Sequence, residues 1–114
     1  MIISGSLLDQ RVVSTPGTPE TAFVAVRRTA ITRIMVCNGN AAAKTFSVYH
    51  DIAGSAFSAT NALYSGQTVA AFTTFSDEAA VLESAITLSA NDSIGVDAGT
   101  AVVVSIYGIT QESR

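Results

Sequence analysis

The sequence is short of charged residues. Asp, Glu, Lys and Arg make up 13% of it, whereas an average soluble domain has about 25%. The net charge is −3 at neutral pH, and Arg27 and Arg28 are its only adjacent cations. Because nucleic-acid-binding proteins present a basic patch or stripe, we expect no direct binding of DNA or RNA. We also expect partner proteins to cover part of the uncharged surface.

The chain also has few of the residue types that enzymes use. It contains one cysteine, one histidine and no tryptophan among 114 residues. A single cysteine excludes a disulfide within the chain, and a zinc site needs more Cys and His ligands than are present. The motifs HExxH, CxxC and GxGxxG and the P-loop are absent. We therefore expect no catalytic site, no cofactor and no metal, and thus a protein that is not an enzyme.

The two most reactive side chains are interpreted as structural. Cys37 lies in the apolar run of residues 34–37, and we expect it to be buried as a small hydrophobe. His50 follows Phe46 and Val48 on one face of a strand and lies near the strand's end. A general base needs a nucleophile and an orienting acid beside it, and in an extended strand Asp51 points away from His50.

The remaining acidic residues lack the spacing of known sites. Asp77 and Glu78 are the only adjacent carboxylates, and we interpret them as a solvated acidic loop rather than a glycosidase pair. Asp92 and Asp97 flank turns, but the spacing of a calcium-binding EF-hand loop is absent. No catalytic or metal-binding role is predicted for them.

No membrane segment is predicted. The longest apolar runs fall well short of the roughly 18 residues that a membrane helix needs. The first five residues lack the basic region and long apolar core of a signal peptide. We therefore expect synthesis in a cytoplasm and no association with a membrane.

A hairpin is the clearest local prediction. Residues 29–37 alternate as a strand, Asn38 and Gly39 favour a tight turn, and residues 44–50 form the return strand. Strict alternation places Ile31 on the face of Arg33, opposite Ile34 and Val36. The second half of the first strand is apolar on both faces, which predicts that another chain or loop covers the outer one.

Other alternating segments follow at turn spacing. Eight to nine short strands of this kind predict an all-β protein with a single antiparallel, jelly-roll-like β-sandwich. The further strands are predicted at residues 10–14, 21–26, 62–64, 67–75 (interrupted near Ala70), 85–88, 94–97 and 101–109. The predicted core residues are Ile34, Val36, Phe46, Val48, Val104 and Ile106.

The chain divides into three segments. Residues 1–20 are predicted to form an N-terminal arm and a first strand, residues 21–110 the sandwich, and residues 111–114 a loose tail. The arm is apolar, and we expect it to dock on a neighbour's sheet edge; the alternative is that it folds back on its own domain. The predicted oligomer or partner interface consists of Ile2, Ile3, Leu7, Leu8, Arg27 and Arg28.

The order of these strands and turns resembles a group of small β-sandwich proteins of tailed-phage virions. The resemblance is carried by residues 22–26, 31–38, 45–48, 61–64, 86–94 and 102–109. Members of this group act as head decoration or cement proteins, or as tail and fibre modules. The resemblance implies a structural role in the virion, commonly as a homotrimer, with the major capsid protein or other virion proteins as partners.

Three alternative functions are consistent with these expectations. The first is a capsid decoration or cement protein that stabilises the head by bridging capsid subunits, and the second is a tail or fibre adaptor. The third is a carbohydrate-binding module, because jelly rolls host many of them. Exposed aromatic residues clustered beside polar groups favour sugar binding, whereas an apolar or small-residue patch favours assembly.

Overall fold

The computed structural model of the chain describes residues 6–52, 57–77 and 86–110. In this part the chain forms nine strands and one short 3-10 helix, at Ala59–Asn61. The strands are β1 (Ser6–Val12), β2 (Glu20–Val24), β3 (Thr29–Asn38), β4 (Lys44–Asp51), β5 (Ala62–Val69), β6 (Thr73–Asp77), β7 (Ile86–Leu88), β8 (Ser93–Ala98) and β9 (Val102–Thr110). The predicted all-β fold is confirmed.

The strands form two antiparallel sheets. The five-stranded sheet has the order β1-β9-β3-β6, with β7 also paired to β3, and the four-stranded sheet has the order β2-β8-β4-β5. Strands β6 and β7 lie along the same edge, since β6 pairs with residues 34–38 of β3 and β7 with residues 29–31. Counted as one interrupted strand, they complete the eight-stranded order of a jelly roll.

The predicted hairpin of residues 29–37 and 44–50 is wrong. Both segments are strands, but β3 and β4 lie in different sheets: β3 pairs with β6, β7 and β9, and β4 pairs with β5 and β8. Neither Asn38 nor Gly39 adopts the positive φ of a two-residue hairpin turn. The loop between the two strands therefore carries the chain from one sheet to the other, because pairing with the distant strands β9 and β8 decides where each strand lies.

Apolar side chains of both sheets fill the interior. All six residues predicted for the core are at most 2% exposed. At the β5–β6 side, three rings close the interior, with Phe46 lying 5.8 Å from Tyr64 and 5.1 Å from Phe75 between ring centroids. Such tilted contacts are favourable beyond the area they bury.

The predicted faces of β3 need one correction. Ile31 is buried together with Ile34 and Val36, and does not lie on an outer face with Arg33. The pairing of β3 with β9 shifts register between Ile31 and Arg33. A bulge adds one residue to a strand and thereby breaks strict alternation.

The N-terminal strand belongs to this chain's own sandwich. β1 pairs with β9 from Ser6 to Val12, and Leu8 packs against the core. The structure therefore shows that the sandwich includes β1, ahead of the boundary we placed at residue 21. Ile2, Ile3 and the tail at 111–114 lie outside the described residues, so docking of residues 1–5 on a neighbour stays a prediction.

The segment at 67–75, predicted as a strand interrupted or bulged near Ala70 and Ala71, is divided there into two strands, and its first part continues the short strand predicted at 62–64. β5 ends at Val69, and β6 begins at Thr73. Between them a turn is closed by hydrogen bonds from the Thr73 N–H and hydroxyl to the Ala70 carbonyl, at 3.3 and 2.7 Å. Phe72 adopts a positive φ of 56° in this turn, a conformation that a bulky residue rarely takes.

Truncation of the core should separate inner from outer positions. We expect Ile34→Ala and Val48→Ala to lower the free energy of unfolding by roughly 2–4 kcal/mol, because they leave cavities. The control Val26→Ala changes a side chain that is 81% exposed and should cost less than about 0.5 kcal/mol. Urea unfolding followed by circular dichroism measures both; equal losses at inner and outer positions would contradict the assignment.

Candidate interaction surfaces

His50 contacts an acid, but not the adjacent one. Its Nε2 atom lies 3.3 Å from Oδ2 of Asp92, and the same carboxylate oxygen accepts the Ser89 N–H at 3.0 Å. Asp92 thereby closes the turn that precedes β8, and His50 joins that turn to β4. Asp51 instead accepts a long hydrogen bond of 3.5 Å from the Ser93 hydroxyl. The structural role of His50 stays a prediction.

No candidate metal site emerges among the residues that the structure describes. Within them, no group of three or more His, Cys, Asp or Glu side chains could hold a metal ion. Glu78 lies outside these residues, so the predicted acidic loop at 77–78 is only partly visible.

An ion cluster joins the two sheets along one side of the sandwich. Arg11 on β1 makes two bonds to Asp9, at 2.8 and 3.1 Å, and one of 2.9 Å to Glu20 at the start of β2. The other carboxylate oxygen of Glu20 accepts the Ser14 N–H at 2.9 Å. The bond from Ser14, followed by that from Arg11, lowers the pKa of Glu20.

The outer face of the five-stranded sheet carries almost no charge at its centre. Register places Val12, Val103, Cys37 and Thr74 in one row across β1, β9, β3 and β6. The next row contains Gln10, Ser105, Met35 and Ser76. The predicted second apolar face of β3 and β9 is therefore a continuous surface built from four strands.

A shallow groove of about 330 Å³ runs across this face. We call it the sheet groove; it is lined by Gln10, Met35, Cys37, Thr74, Val103, Ser105 and Tyr107. Gln10 Nε2 donates to the Ser105 hydroxyl at 2.9 Å, which pairs polar groups of the lining with each other. The lining includes no carboxylate, guanidinium or ammonium group.

Cys37 was wrongly predicted to be buried. It is exposed because it alternates with the buried residues Val36 and Asn38 and so points to the outer face. An apolar run cannot tell which of its residues face inwards when both faces of the strand are apolar. The single thiol of the protein thus lies in the sheet groove.

Three loops meet at one end of the sandwich, which we call the loop end. It comprises residues 39–43, 70–72 and 99–101, and none of these residues is charged. The buried Asn38 connects the first two loops, since its amide nitrogen lies 3.0 Å from the carbonyls of Ala42 and Val69. Its carbonyl oxygen accepts the Asn40 N–H at 2.9 Å.

Asn40 extends this network to the third loop. Its side-chain amide nitrogen donates to the Thr100 carbonyl at 3.1 Å, and its backbone carbonyl accepts the Phe72 N–H at 3.2 Å. Backbone bonds thus hold the turn that carries Phe72, whose side chain is 72% exposed. The sequence pattern predicts no role for this residue; its only signal there is the interruption near Ala70.

The opposite end carries the predicted interface residues that the structure describes. Arg27 and Arg28 are exposed in the β2–β3 loop, beside the exposed Val26. Leu7, at the start of β1, is 49% exposed, whereas Leu8 packs inwards. The structure therefore separates these residues: Leu7 and the two arginines face solvent at this end, and Leu8 contributes to the core.

Searches of protein-family profiles, curated proteins and solved structures found no significant match to this chain. Among the described residues, no helix is both long enough and apolar enough to cross a membrane.

The Asn38 network should determine the order of the loop end. We expect Asn38→Ala to lower the free energy of unfolding by about 1–3 kcal/mol, because it leaves buried carbonyls without a donor. Hydrogen exchange of the Phe72 amide should become faster. Asn40→Ala, as a control that spares the bonds to Ala42 and Val69, should cost less; an equal or greater cost would contradict this role of Asn38.

The ion cluster should make stability depend on pH. The lowered pKa of Glu20 means that its contribution is present above the ordinary value of 4.5 and disappears as the pH falls through the lowered value. We expect Glu20→Gln to lower the free energy of unfolding at pH 7 by about 1 kcal/mol or less, and to have a smaller effect at pH 2, where more of the carboxylate is protonated. Urea unfolding at both values measures this, and equal losses at both would contradict it.

Proposed function

We propose that this chain is a non-enzymatic structural protein of a tailed-phage virion, a capsid decoration or cement protein that stabilises the head by bridging capsid subunits. The family resemblance suggests this role. The observation that carries it is that exposed apolar side chains lie at both ends of the sandwich. Phe72 protrudes from the loop end, whereas Leu7 and Val26 lie at the opposite end.

Two separated apolar surfaces suit a bridging protein. Each exposed patch favours burial against a partner, and one small partner cannot cover both ends at once. The low charge of the chain fits this, because surfaces that are covered in an assembly need no charged coat. We propose further copies of this chain, as a homotrimer, and the major capsid protein as the two kinds of partner.

The opposite end is proposed as the contact with the capsid. Arg28 lines a shallow depression of about 390 Å³ together with Ala30, Thr87 and Ile109. A cation beside apolar groups provides both a directional bond and buried area, and arginine is enriched at protein interfaces for this reason. A carboxylate-bearing surface of a capsid subunit suits this depression.

The loop end favours assembly over sugar binding. Sugar-binding sites were expected to show several exposed aromatic residues beside polar groups. Among the described residues, Phe72 is the only exposed aromatic side chain, and its neighbours in the three loops are mainly Ala, Gly and Thr. A small-residue surface with one protruding ring is typical of protein packing.

Binding to phage heads tests the proposal. Purified chain, added to heads that lack it, should co-sediment with them in a saturable, fixed ratio and should raise the temperature at which the heads release DNA. Arg28→Ala should weaken this binding by roughly tenfold, equivalent to about 1.4 kcal/mol. Lys44→Ala is the charge-matched control at the other end and should bind normally.

Three outcomes would contradict this function. Binding to tails or fibres but not to heads would indicate the adaptor role, and saturable binding to a glycan array would indicate a carbohydrate-binding module. Binding to none of these would exclude all three functions.

A further inference from the structure

The backbone that carries the exposed ring of Phe72 is held in place by hydrogen bonds. Its turn is closed by the two bonds to the Ala70 carbonyl, and its N–H is bonded to Asn40. The chain keeps a bulky residue at positive φ, a conformation that costs energy, and leaves 72% of it exposed. The ring therefore does not fill any cavity of its own chain.

The sheet groove offers an apolar surface close to this ring. Thr74 lines the groove and lies at the start of β6, two residues after Phe72 in the sequence. Since the ring is mostly exposed, it leaves the groove of its own chain open. The protruding ring and the groove thus lie at the same corner of the molecule.

The two surfaces match in chemistry. The groove is bordered by Met35, Cys37, Val103 and Tyr107, and sulfur and aromatic groups make favourable contacts with an inserted ring. Neither the groove nor the three loops of the loop end include an acidic or basic side chain. A contact confined to these residues buries no unpaired charge, which would be costly; Arg33, paired with Tyr107, and Lys44, beside Gly99, then lie at its rim.

We propose that Phe72 of one copy inserts into the sheet groove of the next copy, and that this contact forms the homo-oligomer. The inference deepens the proposed function and rests on its homo-oligomer. A contact between two different surfaces is heterologous and stays finite only when it closes into a ring. Because the Phe72 side chain and the sheet groove share one corner, the symmetry axis passes near that corner. The cyclic oligomer therefore contains few copies.

Removal of the ring is the first test. Phe72→Ser should preserve the fold, since the side chain is exposed, and should raise the dissociation constant of the oligomer at least roughly thirtyfold, as expected for a central aromatic contact. Analytical ultracentrifugation measures this, and Val26→Ser at the opposite end should leave the oligomer intact. An oligomer that Phe72→Ser does not weaken, or a wild-type monomer at tens of micromolar, would overturn the inference.

Cross-linking provides a test that does not depend on affinity. Phe72→Cys places a thiol at the turn while the native Cys37 stays in the groove. Mild oxidation should link different copies into a ladder of covalent species. The ladder should end at the number of copies in the cyclic oligomer. The links should be lost when Cys37→Ser is added, because the introduced thiol then has no partner in the groove, and Val26→Cys should not produce them. A bridge confined to one chain, or covalent dimers that form equally well after Cys37→Ser, would overturn the inference.

The proposed capsid role and the proposed groove contact can be refuted independently. Heads that bind a chain whose assembly does not depend on Phe72 would refute the groove contact and leave the proposed function in place. Assembly that depends on Phe72, without any binding to heads, would refute the capsid role and leave the groove contact in place.

Discussion

The sandwich interior covers only one face of each strand, and this constraint shapes the molecule. β3 and β9 lie in the middle of the five-stranded sheet and carry apolar residues on both faces. Ile34 and Ile106 pack inside, so Met35 and Val103 must lie outside, where they line the sheet groove. A protein of ordinary composition would place charged side chains there. This one leaves an uncharged surface that a partner can cover without desolvating ions.

Buried polar groups organise the loop end in the same way that apolar groups organise the interior. Asn38 ends β3 and is 1% exposed, so its amide must find partners within the protein. It finds them in the backbones of two neighbouring loops, while Asn40 reaches the third. These bonds fix the turn that presents Phe72. The exposed ring is therefore a built feature of the fold and not a result of a loose loop.

The surfaces at the two ends differ in character. The three loops of the loop end contain only small or uncharged side chains besides Phe72, with Lys44 beside Gly99 at their margin, whereas the opposite end combines Val26 with Arg27 and Arg28. An uncharged surface suits contact between identical copies, because like charges never meet. A surface that combines apolar and cationic groups suits a different, acidic partner. A jelly roll can keep such functions apart because its strands run the length of the sandwich and separate the two sets of loops.

The sequence by itself determined the all-β class, the extended segments that become β3 and β4, and the six core positions, because alternation is a local signal. Local signals could not place Cys37, since a strand that is apolar on both faces has no preferred orientation until a second sheet covers one of them. They could not reveal the bulge at Ile31, which arises from pairing with β9. The positive φ of Phe72 likewise depends on bonds to Asn40, 32 residues earlier in the chain. Contacts between distant segments decided all three, and only the tertiary structure brings those segments together.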